Sequence, residues 1–101
     1  MGGYTYILRC ADGSYYVGST RDIITRLKQH QDGEGAEYTR RRLPVELVFV
    51  QQCESIVQAY WFEKKVQNWS RAKREALING ELHLLPDLSK KTFKRPSTSE
   101  Q

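Results

Sequence analysis

The stretch that decides the fold lies near the N-terminus, where YTYILRC (residues 4–10) and YYVGS (residues 15–19) flank ADGS (residues 11–14). Both flanking segments are rich in aromatic and β-branched residues, which favour strands. An Asp-Gly pair between two such segments is typical of a tight turn. The stretch therefore predicts a β-hairpin.

The length of the hairpin loop decides which side chains share a face of the sheet. A two-residue loop over residues 12–13 would place Tyr6 and Tyr16 on opposite faces. A three-residue loop over residues 11–13, with Gly13 left-handed, would place both tyrosines on one face, because a shift of one residue turns every side chain over. Both loops are common with Asp-Gly, so the sequence leaves both registers open.

A helix, a loop and a third strand are predicted after the hairpin. Asp22 caps a helix that runs to about residue 31. Residues 32–44 contain two glycines and a proline and are predicted to be a loop, whereas residues 45–52 alternate as a strand does. The helix has one stripe of side chains at i, i+3, i+4 and i+7, which combines two apolar with two polar groups: Ile23, Arg26, Leu27 and His30.

Two more helices follow the third strand. A capping-box signature at Ser55–Gln58 opens a helix that runs to about residue 68. Ser70 caps another helix, which ends near Asn79-Gly80 because glycine terminates helices well. Residues 81–88 are apolar enough to pack back on the domain, and residues 89–101 form a basic, polar tail.

Glu63 lies on the apolar stripe of the helix that begins after Ser55. A carboxylate is almost never buried unless it is paired or binds a metal. Glu63 is therefore predicted to be a metal ligand, with an ion pair to Arg26 or to a neighbouring lysine as the alternative.

Composition limits the classes of function. The chain has 101 residues, a net charge of +4 and a pI near 9.2, which predict one domain with nucleic acid or another anionic partner. No apolar run approaches the roughly 20 residues of a membrane span, and the N-terminus lacks the features of a signal peptide, so we expect a cytoplasmic protein. Cys10 and Cys53 have no other Cys or His at metal-ligand spacing and are predicted to be ordinary small hydrophobic residues.

Four segments together resemble the GIY-YIG nuclease superfamily, and most of all its small stand-alone bacterial members. They are YTYIL, YYVGST, RDIITRLKQH and AYWFEKKVQNWSRAKREALI. The resemblance covers roughly residues 3–88 and leaves residues 89–101 as a tail outside the domain. It implies an α+β domain with a small three-stranded antiparallel sheet flanked by helices.

The resemblance is incomplete in three places. Tyr4 and Thr5 stand where the family name has Gly and Ile, although Tyr6 is kept. The positions at which some relatives carry a lysine hold threonine or serine here. Larger relatives use an asparagine downstream of the glutamate, for which Asn79 and Asn68 are the candidates by spacing.

The resemblance implies an endonuclease that hydrolyses DNA phosphodiester bonds with one divalent ion, Mg²⁺ or Mn²⁺, bound by Glu63. Tyr16 would activate the attacking water and Tyr6 would orient it. A free phenol titrates near pKa ~10, so a base at Tyr16 requires a cation or metal that lowers its pKa. Arg26 would contact a phosphoryl oxygen through its planar fork. His30 would relay a proton or hold a phosphate, with a structural role as the alternative.

Basic side chains are predicted to contact the phosphate backbone, each contact steepening the salt dependence. The predicted contacts are Arg40, Arg41, Arg42, Lys64, Arg71 and Lys73. Trp61, Phe62 and Trp69 could stack on bases, but aromatic residues at helical spacing are more often part of a core.

The function predicted from these features is a metal-dependent DNA endonuclease of repair or processing, selective for structure or strand state. The partner is DNA, with RNA as the alternative, and a monomer is the default. A second hypothesis is a nucleic-acid-binding module with weak or no catalysis on the same fold. A third is a protein-interaction domain whose basic face meets an acidic partner.

Overall fold

A computed structural model describes residues 2–81, and it shows an α+β fold. The elements, in chain order, are β1 (Gly3–Arg9), β2 (Tyr15–Thr20), α1 (Ile23–Gln31), α2 (Glu37–Arg40), β3 (Glu46–Cys53), α3 (Ile56–Gln67) and α4 (Arg71–Ile78). The three strands form an antiparallel sheet, as predicted, and their order in the sheet is β2-β1-β3. The predicted packing of residues 82–88 and the predicted tail lie outside the described residues.

The described chain divides into two units. The first extends to Asn68 and contains the sheet with α1, α2 and α3, and the second begins at Trp69 and contains α4. None of the helices in residues 2–81 has the length and hydropathy that a membrane crossing requires.

The hairpin adopts the three-residue loop. The Cys10 amide donates to the carbonyl oxygen of Ser14 at 2.8 Å, and Gly13 takes a left-handed conformation with φ +86°. β1 and β2 consequently pair Leu8 with Tyr16. Of the two registers open to the sequence, the protein therefore uses the one that places both tyrosines of the predicted site on the same face.

Each face of the sheet packs against different helices. The face that carries the tyrosines buries one cluster with residues from α1, α2 and β3: Tyr6, Leu8, Cys10 and Val45, with Tyr16, Ile23, Leu27, Tyr38 and Leu47 partly buried around them. α3 covers the opposite face, where the Thr5 hydroxyl donates to the Ala59 carbonyl oxygen at 2.7 Å. α3 lies so close that a Cβ on Gly3 would stand 2.7 Å from Cα of Ile56.

Side-chain caps begin the three longer helices where the sequence predicts them. Asp22, Ser55 and Ser70 each accept a hydrogen bond from the backbone amide three residues later. The predicted loop over residues 32–44 is wrong at Glu37–Arg40, which form the short helix α2. No side chain caps the N-terminus of α2, so the usual sequence signal for a helix start is absent. Glu37 pairs instead with Arg40 and Arg41 one turn later.

Candidate active site

Tyr6 is buried at the centre of the sheet, directly opposite Gly18 on β2. A Cβ added to Gly18 would lie 2.5 Å from the Tyr6 hydroxyl oxygen and 2.7 Å from its Cζ. No side chain fits at this position without displacing the phenol. Gly18 is therefore a glycine because the ring of Tyr6 fills the space beside it.

A series of hydrogen bonds connects Tyr6 to α1 and α2. The Tyr6 hydroxyl lies 2.9 Å from Nε2 of His30, and Nδ1 of His30 lies 2.8 Å from Oγ1 of Thr39. The Thr39 hydroxyl donates its one proton to the carbonyl oxygen of Ala36 at 3.0 Å. Thr39 must therefore accept from Nδ1–H of His30, and a neutral His30 then accepts from the Tyr6 phenol at Nε2.

His30 is held neutral by its surroundings. Burial, together with the nearby charge of Arg26, lowers the pKa of His30 to about 4. A Cβ on Gly35 would lie 2.4 Å from Nδ1, so the Gly35 backbone also presses against the ring. Because both nitrogens of His30 are bonded within the protein, this geometry does not favour the predicted contact between His30 and a phosphate.

Arg26 lies beside both tyrosines of the predicted site. Its guanidinium approaches the oxygens of Tyr6 and Tyr16 closely enough to act against the rise in their pKa values, and its Nη1 donates to Oε1 of Gln29 at 2.9 Å. The rings of Tyr6 and Tyr16 have centroids 6.4 Å apart. The structure thus brings Tyr6, Tyr16, Arg26 and His30 together.

Neither phenol has the lowered pKa that a base requires. Burial raises the pKa of Tyr6 to about 12 and also raises the pKa of Tyr16, and in both residues burial outweighs the charge of Arg26. The condition set for Tyr16, a pKa lowered by a neighbouring cation, is therefore not met by the protein's own groups. At neutral pH both tyrosines are protonated.

Glu63 projects from α3 to the edge strand β2 and is 13% exposed. Ser19 donates its hydroxyl to Oε1 at 2.6 Å, and Nε2 of Gln67 donates to Oε2 at 2.8 Å. The same nitrogen of Gln67 lies 3.2 Å from the Val17 carbonyl oxygen, which ties the pair to β2. The alternative predicted for Glu63, a lysine partner, is also present, since Lys64 Nζ lies 3.8 Å from Oε2.

The carboxylate of Glu63 suits a divalent ion. An ionised carboxylate has about four acceptor positions, and the bonds from Ser19 and Gln67 leave positions open on both oxygens. Within residues 2–81, no group of three or more His, Cys, Asp and Glu side chains is arranged to hold a metal. A metal would therefore be held by one carboxylate, with water and phosphate completing its shell, as is usual for Mg²⁺.

Glu63 and the tyrosines approach the site from opposite faces of the sheet. α3 covers one face and Tyr6 and Tyr16 lie on the other, yet the charge of Glu63 acts on the pKa of both phenols. β2 is an edge strand, so the two sets of groups can meet past its side at Gly18 and Ser19.

The predicted phosphate contacts in α2 and the loop after it are engaged by carboxylates. Arg40 and Arg41 both pair with Glu37, and Arg42 Nε lies 3.1 Å from Oδ2 of Asp12. These pairs are exposed or half-buried, so they are weak and a phosphate could compete for the arginines.

The predicted phosphate contacts in the second unit differ in accessibility. Arg71 is exposed and pairs with Glu75 at 3.0 Å. Lys73 is buried, with Nζ 3.6 Å above the centre of the Trp69 ring. Lys73 is therefore not available to a phosphate in this structure, because its charge is held against an aromatic face.

Sequence reasoning missed four residues that position the site: Ser19, Gly35, Thr39 and Gln67. Gln67 could have been found, because it stands four residues after Glu63 on one helix, where such pairs interact. Ser19 follows directly on the second motif. Thr39 and Gly35 gave no signal, since their role depends on how the segment after α1 folds back. Asn68 and Asn79, the candidate asparagines, are the exposed C-caps of α3 and α4.

Comparison with known proteins identifies the family of this chain. A family model described as the GIY-YIG catalytic domain matches residues 2–76. GIY-YIG proteins are in general endonucleases, which supports a nuclease interpretation of the site.

Curated relatives and a solved structure are also similar to this chain. A UPF0213 protein of Natronomonas pharaonis is 44% identical over 78 residues, which cover 77% of this chain and 92% of the relative. A UPF0213 protein of Halalkalibacterium halodurans is 44% identical over 79 residues, covering 78% of this chain and 84% of the relative. A solution structure of an E. faecalis protein matches with a TM-score of 0.56 and 34% identity, covering 83% of this chain and 88% of that one. The chain therefore belongs to the GIY-YIG family.

Proposed function

We propose that this protein is a metal-dependent endonuclease that hydrolyses DNA phosphodiester bonds with Mg²⁺ or Mn²⁺, in DNA repair or processing. The observation that supports it best is that Arg26 and Glu63 both act electrostatically on Tyr16 of the edge strand β2. Arg26 is bonded to Gln29, and Glu63 is bonded to Ser19 and Gln67. Such preorganised charges stabilise a transition state at little reorganisation cost.

Arg26 is the group suited to the phosphoryl oxygens. Its Nη1 donates to Gln29, and its guanidinium lies beside the oxygen of Tyr6, which is in turn held by His30. Tyr6 is almost fully buried, so it does not meet water directly. Tyr6 and His30 therefore act as positioning residues for Arg26, and this role replaces the water-orienting role first predicted for Tyr6.

Tyr16 is the phenol that substrate and water can reach, because it is only half-buried. Its phenol is protonated at neutral pH and has one proton to donate and lone pairs to accept. Tyr16 thus holds the attacking water by a hydrogen bond beside the phosphate.

Glu63 would hold the divalent ion. When bound there, the ion would neutralise charge on the phosphoryl oxygens and assist the leaving oxygen. Ser19 and Gln67 orient the carboxylate for this purpose, since groups that fix a metal ligand commonly decide its affinity.

Cleavage of labelled single-stranded, duplex and branched DNA, with Mg²⁺ or with EDTA, tests this function. Glu63→Gln should abolish metal-dependent cutting while retaining the circular dichroism spectrum of the fold. Glu54→Gln, which removes an exposed carboxylate two residues before the same helix, is the matched control and should cut normally.

Two results would argue against this function. Salt-sensitive DNA binding without cutting in any metal would support the alternative, a nucleic-acid-binding module without catalysis. Cutting by the Glu63→Gln variant at the wild-type rate would show that Glu63 is not the metal ligand.

A further inference from the structure

α3 presents an aromatic and basic surface to solvent. Val57, Tyr60 and Trp61 are 59%, 48% and 66% exposed, and Lys64 continues the series. Their spacing of i, i+3, i+4 and i+7 places them on one side of the helix. We call these four residues the α3 aromatic face.

The α3 aromatic face does not belong to the core of the first unit. The residues of α3 that pack into the core are others, since Ala59 and Val66 are buried. A large apolar side chain left in water gains none of the free energy that burial would give it. Adjacent exposed aromatic residues therefore indicate a surface that becomes covered by a ligand.

The α3 aromatic face is continuous with Glu63. Lys64 Nζ lies 3.8 Å from Oε2 of Glu63 and 4.9 Å from the centre of the Tyr60 ring. The ring centroids of Tyr60 and Trp61 are 6.3 Å apart, with planes inclined at 71°. A series of contacts thus leads from the carboxylate of the site through an ammonium group to two exposed rings.

We propose that the α3 aromatic face binds unpaired nucleobases of the strand that is cut at the Glu63 site, an inference that rests on the proposed function. Each exposed ring offers a stacking surface worth about 1–3 kcal/mol per base. In a duplex, the base faces are already stacked on their neighbours. The α3 aromatic face therefore favours single-stranded DNA over duplex.

The charge of the surface favours a DNA strand over a second copy of the chain as the ligand. Lys64 lies in the α3 aromatic face and Lys65 lies next to it, exposed. A symmetric dimer through this surface would bring the lysines of the two copies together, whereas the phosphates of a bound strand would neutralise them.

Binding in EDTA, where no metal-dependent cutting occurs, isolates this surface from catalysis. The full chain is titrated into labelled single-stranded and duplex oligonucleotides of one sequence, and fluorescence anisotropy gives the affinity. Trp61→Ala should weaken single-strand binding by about 5-fold to 150-fold, the equivalent of one lost stack, and duplex binding much less. Trp61→Phe should retain most of the affinity, and Ile24→Ala, at an exposed apolar residue of α1, should retain all of it.

Salt dependence separates stacking from charge. Trp61→Ala should leave the slope of log K against log salt unchanged, because no phosphate contact is lost. Lys64→Gln should reduce that slope by about 0.7 on a single strand. Single-stranded DNA should also quench tryptophan fluorescence in the wild type and do so less in Trp61→Phe.

Three outcomes would overturn the inference. They are unchanged single-strand affinity in Trp61→Ala, an equal loss on both substrates, and a wild-type dimer that Trp61→Ala converts to monomer, which would make a second copy the occupant. The proposed function is judged separately by cutting. Single-strand binding that depends on Trp61 without cutting would uphold the surface alone, and cutting with unchanged affinity in Trp61→Ala would uphold the nuclease alone.

Discussion

The phenol of Tyr6 donates a hydrogen bond to Nε2 of His30 at 2.9 Å, and this bond joins β1 to α1 inside the core. The direction of this bond follows from Thr39. The Thr39 hydroxyl donates its proton to the carbonyl oxygen of Ala36, so it must accept a hydrogen bond from Nδ1 of His30. Two residues predicted to be catalytic are consequently also structural. Changes in this series of bonds should affect both stability and the position of Arg26.

The neutral state of His30 predicts that stability depends on pH. The pKa of His30 is about 4 in the folded protein, below the ordinary value of 6.5. Between these values the unfolded chain binds more protons, so the free energy of unfolding falls as pH falls from about 6.5 to about 4. Most of the loss has occurred by about pH 4, and it amounts to roughly 3 kcal/mol. Urea denaturation at a series of pH values measures it.

His30→Gln is the control for this dependence, because glutamine does not titrate. The variant should be less stable at neutral pH and should lack the additional loss between about pH 6.5 and 4. Asp12, Asp22 and Glu37 have lowered pKa values and add their own loss of stability at acid pH, so the difference between the two proteins isolates His30. Parallel profiles in the two proteins would contradict a buried neutral His30.

Thr39 should set the tautomer of His30. Thr39→Val removes the acceptor for Nδ1–H at nearly constant volume and leaves a buried donor unsatisfied, which costs about 1–3 kcal/mol. We expect part of His30 to move to the Nε2–H tautomer, which nitrogen-15 chemical shifts of the imidazole report directly. Cutting should fall about tenfold or more as Arg26 loses its support.

Thr39→Ser, which keeps the hydroxyl, should restore both the Nδ1–H tautomer and the cutting rate. If the nitrogen-15 shifts are the same in wild type and Thr39→Val, the bond from His30 to Thr39 does not control the tautomer.

Gly18 should not tolerate a side chain. In Gly18→Ala the new Cβ would meet the hydroxyl and Cζ of Tyr6 at 2.5 and 2.7 Å, so the phenol must move. Overpacking of this kind costs about 1–3 kcal/mol, and the moved ring also gives up its bond to His30. Chemical denaturation gives the cost, and the cutting assay gives the effect on the site.

A double-mutant cycle with Tyr6→Leu tests the cause of that cost. Leucine lacks the ring atoms that the new Cβ would meet, so Gly18→Ala should cost less in the Tyr6→Leu background. Equal costs in the two backgrounds would show that the loss arises from the β2 backbone and not from Tyr6.

The sequence was informative where the signal is local. Asp22, Ser55 and Ser70 cap their helices through bonds to residues only three positions away, and such bonds can be read from spacing. The hairpin was local too, yet its register depended on one residue of loop length. The sequence allowed both forms, and the structure shows that the loop closes through Cys10 and Ser14.

Long-range packing decided what the sequence could not predict. Thr39 reaches His30 only because the segment after α1 folds back, and nothing in its neighbours indicates this. The pKa of Tyr16 depends on how deeply its ring is covered, which a list of nearby cations does not give. Lys73 belongs to a basic cluster in sequence, but it is buried against Trp69.

Arg26→Lys should reduce cutting by about 10²-fold to 10³-fold with little change in stability. The substitution keeps one positive charge but removes the planar fork that can contact Gln29, the phenol oxygens and a phosphate together. Arg26 is only half-buried, so the fold should tolerate lysine. Single-turnover cutting and thermal denaturation are the measurements.

Arg21→Lys, at an exposed arginine just before α1, is the control and should cut at the wild-type rate. If Arg26→Lys also cuts at the wild-type rate, the site needs only a positive charge at this position. The positioning of the guanidinium by Tyr6 and His30 would then not contribute to catalysis.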